Sequence, residues 1–500
     1  AAVDFASQNR IINRIICRTI PTSIGVLAGV IINSKVSSVK VIDEQIEFLS
    51  ERDMERHVLS LGQPRIIGIS VLTISAKRAY TLCKLIKRID KEALVVLGGI
   101  HPTVLPDEAL HHEGVDVVVR GEGEETFLDL VKAILKQEDY KKIIGISYKY
   151  NGSIIHNPHR SEIEHLDEIP PFPYHLFEKN LKKYSTFGAL FISRGCPYDC
   201  IFCSSRSVSG RRYRLFSIER VISEIKLLVE QYKQKIIFML DDNIAADRRY
   251  LTGLLKTVIN TDLHNKAAFY GSMRGDDVNE EILDLASAAN FKMISFGLET
   301  GSEPLMKILN KQETVKEVVD AIKMTESKGI AAAATLIFGI PTETRRDRWD
   351  TMKLVRSLPI SSVRFNTLTP YPGTPVFDML SRQGRIINKN EWENFAVQYM
   401  WEGDDLPYVP DGNNRYELMF DAMFANLSYY LSFNGLKRML KSSFAGGNVI
   451  ILPERWYLSP LVVYGLLCLF FYLTRRFLYV AIKCSLKNLS RPLFTTILNR

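Results

Sequence analysis

The sequence predicts an α/β protein: two units with parallel sheets, followed by a helical, hydrophobic C-terminal region. Three observations carry this. Short apolar runs alternate with longer amphipathic ones from Arg65 to Leu135, the same rhythm resumes at Leu190, and a proline-rich connector separates the two. At 500 residues, the chain is long enough for two or three cores.

In the first unit, RIIGISVL reads as a buried strand, AKRAYTLCKLIKRI as a helix and ALVVLGGI as a second strand. DVVVR and GEGEETFLDLVKAIL then read as strand, turn and helix. Ile24 to Ile32 predicts a helix feeding a strand at VKVID, with no clear first strand before it. The spacing of Pro158, Pro170, Pro171 and Pro173 puts a linker over 159–184, so a Rossmann-like unit is expected over 1–158.

GALFIS, a cysteine loop and the helix SIERVISEIKLLVEQY open the second unit. The strands IIFMLDD, AAFYGSMR, MISFGLET, AAATLIFGI and SVRFNTLTP follow. Six strands with intervening helices over 185–380 match a partial (β/α)6 barrel better than a doubly wound sheet.

The region 381–500 contains a helix around Leu418 to Leu440 and a membrane-associating segment at about 456–492. WYLSPLVVYGLLCLFFYLT approaches the ~20 apolar residues that span a bilayer. Trp456, Tyr457 and Tyr472, with Arg475 and Arg476, resemble interfacial anchors. FLYVAIKCSLKNLSRPLF is suited to lying flat on lipid. The alternative is a hydrophobic hairpin packed on the barrel or used for dimerisation.

A net charge of +8, from 64 basic and 56 acidic residues, fits an anionic membrane surface better than nucleic acid, since no long basic run is interleaved with aromatics. Localisation is expected to be cytoplasmic, on the inner membrane face. No charged n-region, apolar h-region and cleavage site opens the chain, which argues against secretion, and Ala1 in place of Met implies a missing or processed leading segment. Of seven cysteines, Cys196, Cys200 and Cys203 lie within eight positions, a metal-site distribution and not a disulfide framework.

CPYDCIFC places three thiols on one short loop directly after LFISR. Three thiolates can hold three irons of a cubane and leave the fourth iron open to a small molecule. A zinc site would need a fourth ligand, and no cysteine or histidine follows within sixty residues. The spacing C-x3-C-x2-C resembles the signature of the radical S-adenosylmethionine superfamily. That resemblance implies a [4Fe-4S] cluster on Cys196, Cys200 and Cys203 and S-adenosylmethionine as cosubstrate, with Phe202 beside the adenine or shielding the cluster.

Further positions follow from the resemblance. Asp241, Asp242 and Asn243 end the second barrel strand, and Asp242 matches the polar site for the cosubstrate amino group; a helix cap is the alternative. Ser272 and Arg274 end AAFYGSMR, where an Arg can fork onto a carboxylate or form a salt bridge, for instance to Glu299. ISFGLETGS, FGIPTET and TPYPGTP are similar to the branch with N-terminal cobalamin-binding domains. Glu299 is expected to bind the cosubstrate or fix Arg274, and Gly339 to lie near the adenine.

SVLTIS, LGGIHP and RGEGEET are similar to those cobalamin-binding domains, so the resemblance covers about 20 to 380. It implies cobalamin contacts from Ser70, Thr73, Gly98, Gly99, Gly121 and Gly123. The element D-x-H-x-x-G, which supplies a histidine below cobalt in many cobalamin proteins, is absent. His101 lies in a different loop.

The function expected is reductive cleavage of S-adenosylmethionine to a 5'-deoxyadenosyl radical, used for cobalamin-dependent methylation of an unactivated carbon on a lipid or tetrapyrrole-like substrate. Radical cyclisation or other C–H functionalisation, methylthiolation, and a non-enzymatic redox sensor or membrane scaffold are the alternatives. A flavodoxin-like or ferredoxin-like electron donor is implied. Lys182, Lys183, Arg206, Arg211, Arg212 and Arg214 flank the cysteine loop, as a solvated face or as a guide for acidic partners.

Overall fold

A computed structural model describes residues 18–387, 389–396, 405–432, 435, 471 and 474–485. The N-terminal sheet contains β1 (Ile66–Ser70), β2 (Leu94–Gly98), β3 (Val117–Val119), β4 (Ile146–Tyr150) and β5 (Ser153–His156), in that spatial order. The first three are parallel, as buried apolar runs with helical crossovers dictate, and β4 and β5 close one side as an antiparallel hairpin. The helix Ala76–Ile89 buries Ala79, Leu82, Cys83 and Ile86, four positions of one face.

VKVID does not form the expected strand. Its residues run as coil with a single-residue bridge at Asp43, while the helix before it forms over Thr22–Asn33. Among the described residues no strand lies beside the other edge of β1, and Val39 to Ile42 and Ile66 to Ser70 line the same cavity. A strand needs a continuous ladder to a neighbour, and here the stretch reaches no further than the bridge at Asp43.

The second sheet is built from β6 (Ala189–Leu190), β9 (Ile236–Met239), β10 (Ala268–Met273), β11 (Phe291–Glu299), β12 (Ala331–Phe338) and β13 (Ser362–Thr367). Neighbours in space are neighbours in sequence, from β6 at one edge to β13 at the other, and every pair is parallel. This is the partial (β/α)6 arrangement expected. A two-residue-per-strand hairpin, β7 (Ser193–Arg194) with β8 (Arg214–Leu215), brackets the cysteine loop.

The helix Arg415–Tyr430 covers β13. Asn426 supplies what a seventh strand would: its Oδ1 accepts from Phe365 N at 3.1 Å and its Nδ2 donates to Phe365 O at 2.8 Å. The helix ends at Tyr430, and most of the expected extension to Leu440 lies outside the described residues.

WYLSPLVVYGLLCLFFYLT also lies almost wholly outside them. Among the described residues, no helix is long and apolar enough to cross a membrane. Residues 474–485 are helical and bury Val480 and Cys484, with Phe477 against Phe420 at 5.4 Å. Leu478 and Ile482 remain more than half exposed on the same helix.

Candidate active site

The cysteine loop is stapled from both sides. Ile201 N donates to Leu309 O at 3.0 Å, and Val376 N donates to Ile201 O at 3.1 Å. Phe202 thereby sits between two apolar clusters, one with Leu368 and Tyr408 and the other with Leu305, Leu309 and Ile340. Cys196, Cys200 and Cys203 are half-buried and unpaired by disulfides. Burial pushes Cys200 up to about 12 and Cys203 up to about 11, with Lys311 and then Arg274 pulling Cys200 the other way. Three half-buried thiols with cations close by fit an anionic iron–sulfur group, whose thiolates need that compensation.

The three polar residues after β9 have separate tasks. Asp241 is fully buried and accepts from Ile192 N at 3.0 Å, Ser193 N at 2.7 Å and the Ser193 hydroxyl, so it anchors β7; burial raises its carboxyl to about 6. Asn243 accepts from Arg274 N at 3.3 Å and donates to Asp277 at 2.6 Å. Only Asp242 is exposed, and it takes the Ser205 hydroxyl beside Cys203. It caps no helix: the cap of the next helix, Arg248–Asn260, is Asp247.

Arg274 is already forked. Its Nε and Nη2 meet Asp276 at 2.9 and 2.8 Å, its Nη1 donates to Lys311 O at 2.8 Å, and its guanidinium lies 3.6 Å from the Tyr198 ring centroid. The expected Arg274–Glu299 bridge is not the one formed. Glu299 instead pairs with Lys311, Oε1 to Nζ, at 2.9 Å, and Lys311 also reaches Glu313 at 3.0 Å and the Gly297 carbonyl. A Cβ at Gly297 would meet the Lys311 ammonium and the Glu299 carboxylate, so a larger residue here would displace that pair. Ser272 is half-buried and accepts from Ile244 N through its carbonyl at 2.9 Å. Gly339, at φ 88°, donates to Glu343 at 2.5 Å.

Lys311, Glu313, Asp276 and Tyr198 join this site without a signal in the sequence. Nothing in NKQET marks a lysine as buried; only the fold brings it under β11.

A cavity of about 860 Å³ joins the two units. Ser70, Gly98, Gly99, Gly121 and Gly123 line it from the N-terminal sheet, and Arg194, Ser205 and Asp242 from the barrel. Thr73 is buried in a 3-10 turn and does not reach it. At Gly99, φ is 98° and a Cβ would stand 2.8 Å from Val71 O, so only glycine keeps this loop low. The volume and the low glycine loops fit a large flat cofactor. His101 is elsewhere, fully buried, with Nε2 at 3.1 Å from both Tyr80 and Glu108.

Most flanking cations are neutralised internally. Arg206 and Arg211 pair with Asp199, Arg212 with Glu164, and Arg214 with Glu122, where it is buried. Lys182 and Lys183 lie in the 3-10 segment Glu178–Lys183.

Comparison with known proteins agrees with this geometry. The radical SAM superfamily model matches residues 190–355 and the B12 binding domain model matches 21–131. An uncharacterised methyltransferase of Pyrococcus horikoshii is 33% identical over 72% of this chain and 78% of its own. The anaerobic magnesium-protoporphyrin IX monomethyl ester cyclase of Rubrivivax gelatinosus is 27% identical over 81% and 72%. In fold, the chain is similar to the radical S-adenosylmethionine methyltransferase TsrM from Kitasatospora setae, solved with cobalamin and a [4Fe-4S] cluster: TM-score 0.67, 16% identity, 85% of this chain and 97% of that one. The chain belongs to the radical S-adenosylmethionine superfamily, as an enzyme of the branch that joins a cobalamin-binding domain to a barrel for the [4Fe-4S] cluster and S-adenosylmethionine.

Proposed function

We propose that the chain methylates an unactivated carbon of a hydrophobic, lipid or tetrapyrrole-like substrate. The observation that carries this is the shared cavity: the glycine loops at the ends of β2 and β3 and the residues around the cysteine loop face one space. When bound, the cluster supplies the electron that cleaves S-adenosylmethionine, and cobalamin supplies the methyl group. The protein's part is to hold and exclude. Cys196, Cys200 and Cys203 hold the cluster, and Phe202 packs an apolar shield beside it. Asp242, the exposed carboxylate at the cavity wall, orients the cosubstrate's amino group, with Ser272, Glu299 and Gly339 on neighbouring strand ends. Arg274, committed to Asp276 and to the Lys311 carbonyl, braces the segment behind the cysteine loop. Ser70, Gly98, Gly99, Gly121 and Gly123 receive cobalamin; Thr73 supports their loop from behind.

Ring closure is the second reading, favoured by the cyclase relative. Methylthiolation is disfavoured, because Cys83 is fully buried in a helix and is not presented to a second cluster. A membrane surface as partner is supported by the exposed Phe471, Leu478 and Ile482. An electron donor of flavodoxin or ferredoxin type completes the proposal.

The test is anaerobic reconstitution with iron, sulfide and methylcobalamin, desalting, and incubation with S-adenosylmethionine and a reductant. Retained cobalamin and release of 5'-deoxyadenosine are expected. Cleavage without cobalamin retention overturns methylation and favours ring closure; neither result overturns both.

A further inference from the structure

The segment Leu309–Glu313 is tied to the cysteine loop on either side of Cys200. Asn310 Nδ2 donates to Asp199 O at 3.0 Å, and Leu309 O accepts from Ile201 N at 3.0 Å. Lys311 follows at once, with its ammonium buried between Glu299 and Glu313 and its carbonyl on Arg274. Its backbone neighbours are held in an uncommon conformation: Asn310 has φ 50° and Gln312 φ 60°, as Glu299 opposite has φ 56°. Left-handed backbone at non-glycine residues costs free energy, and it persists where surrounding contacts over-determine it. The burial of a lysine also costs free energy, offset here by two carboxylates and the Gly297 carbonyl.

We propose that Lys311 is a positioning residue of the cluster loop, fixing Glu299 and Arg274 and setting the ease with which the cluster on Cys196, Cys200 and Cys203 accepts its electron. The proposal rests on the assignment of those cysteines. Reduction adds one negative charge beside Cys200, and a buried ammonium stabilises it because the surrounding dielectric screens little. Neutralising Lys311 therefore disfavours the reduced state, and neutralising Glu299 favours it.

The experiment uses reconstituted full chain: wild type, Lys311→Met, Lys311→Arg and Glu299→Gln. Iron and sulfide content is measured first, then the reduction potential by redox titration with dithionite followed by electron paramagnetic resonance. Lys311→Met is expected to load its cluster and to be reduced about tenfold less favourably, 59 mV for one electron. Lys311→Arg stays within threefold of wild type, and Glu299→Gln shifts the opposite way. Should Lys311→Met fail to fold, the sign of the Glu299→Gln shift decides. Loaded variants with unmoved potentials, or a Glu299→Gln shift in the same sense as Lys311→Met, overturn the role of Lys311 alone. A folded wild type that takes up no cluster overturns the cysteine assignment and this role together.

Discussion

Arg214 and Glu122 meet across the two units through two hydrogen bonds, Nη1 to Oε2 at 2.9 Å and Nη2 to Oε1 at 2.8 Å, with both side chains almost fully buried. Arg194 adds contacts to the same glutamate and to Glu124. Glu122 sits between the cavity-lining Gly121 and Gly123, and Arg194 is two residues before Cys196. The clasp therefore couples the glycine loop to the cysteine loop. Removing one partner leaves the other charge buried, so Arg214→Met should destabilise the protein by roughly 3–5 kcal/mol in chemical denaturation. The double variant Arg214→Met/Glu122→Met should recover part of that loss; a double variant worse than the sum of the singles would show that the pair is not the relevant interaction.

Gly99→Val should reduce cobalamin retention at least tenfold, because the loop must rise to relieve the contact with Val71 O and leave its left-handed conformation. Iron content should not change, as Gly99 lies in the other unit. Visible spectra after desalting, alongside iron analysis, check this; equal retention would remove Gly99 from the site.

The parallel strands of both sheets were legible because buried parallel strands are continuous apolar runs with a helix between them, as in IIFMLDD and AAATLIFGI, whereas the antiparallel β4–β5 hairpin was not foreseen. The cysteine loop stands out in the sequence because its spacing is local. The partners of Arg274 and Glu299 do not: Asp276 is two residues away on a turn, while Lys311 arrives from beyond a helix, and neither distance is encoded in periodicity. VKVID misled for a related reason. Its alternating pattern is strand-like, but strand formation is settled by a neighbour, and β1 does not pair with it. Thr73 shared a loop with Ser70 yet turned inward, because a 3-10 turn redirects the side chain.

Cys200→Ala should abolish S-adenosylmethionine cleavage, by at least a hundredfold, while leaving the thermal transition within a few degrees. Cys83→Ala should do the reverse. Its thiol is fully buried in the N-terminal core, so the substitution leaves a small cavity, costs on the order of 1 kcal/mol and leaves iron content unchanged. Iron loss in Cys83→Ala would revive a second cluster and with it methylthiolation.

The pH dependence of stability should carry the mark of Glu343. This carboxyl is buried under Gly339, accepts its N–H through Oε2, and leaves Oε1 without a hydrogen bond. Arg345 and Arg348 are the cations of its network, and they are shared with Glu417 and Asp421, so three carboxylates face two guanidiniums. One carboxyl is in excess. Burial raises Glu343 from 4.5 to about 8, which makes it the one that keeps its proton. A carboxyl raised on folding contributes stability that is fully present below its unfolded value and is lost as pH rises through its folded value. The docking of the helix Arg415–Tyr430, which carries Glu417 and Asp421, should therefore weaken between about pH 4.5 and about pH 8. Glu343→Gln is neutral throughout and should flatten that slope, raising the thermal midpoint relative to wild type more at pH 8.5 than at pH 6. An unchanged difference across this range would mean that Glu343 is ionised in the folded protein and that Arg348 carries all three carboxylates.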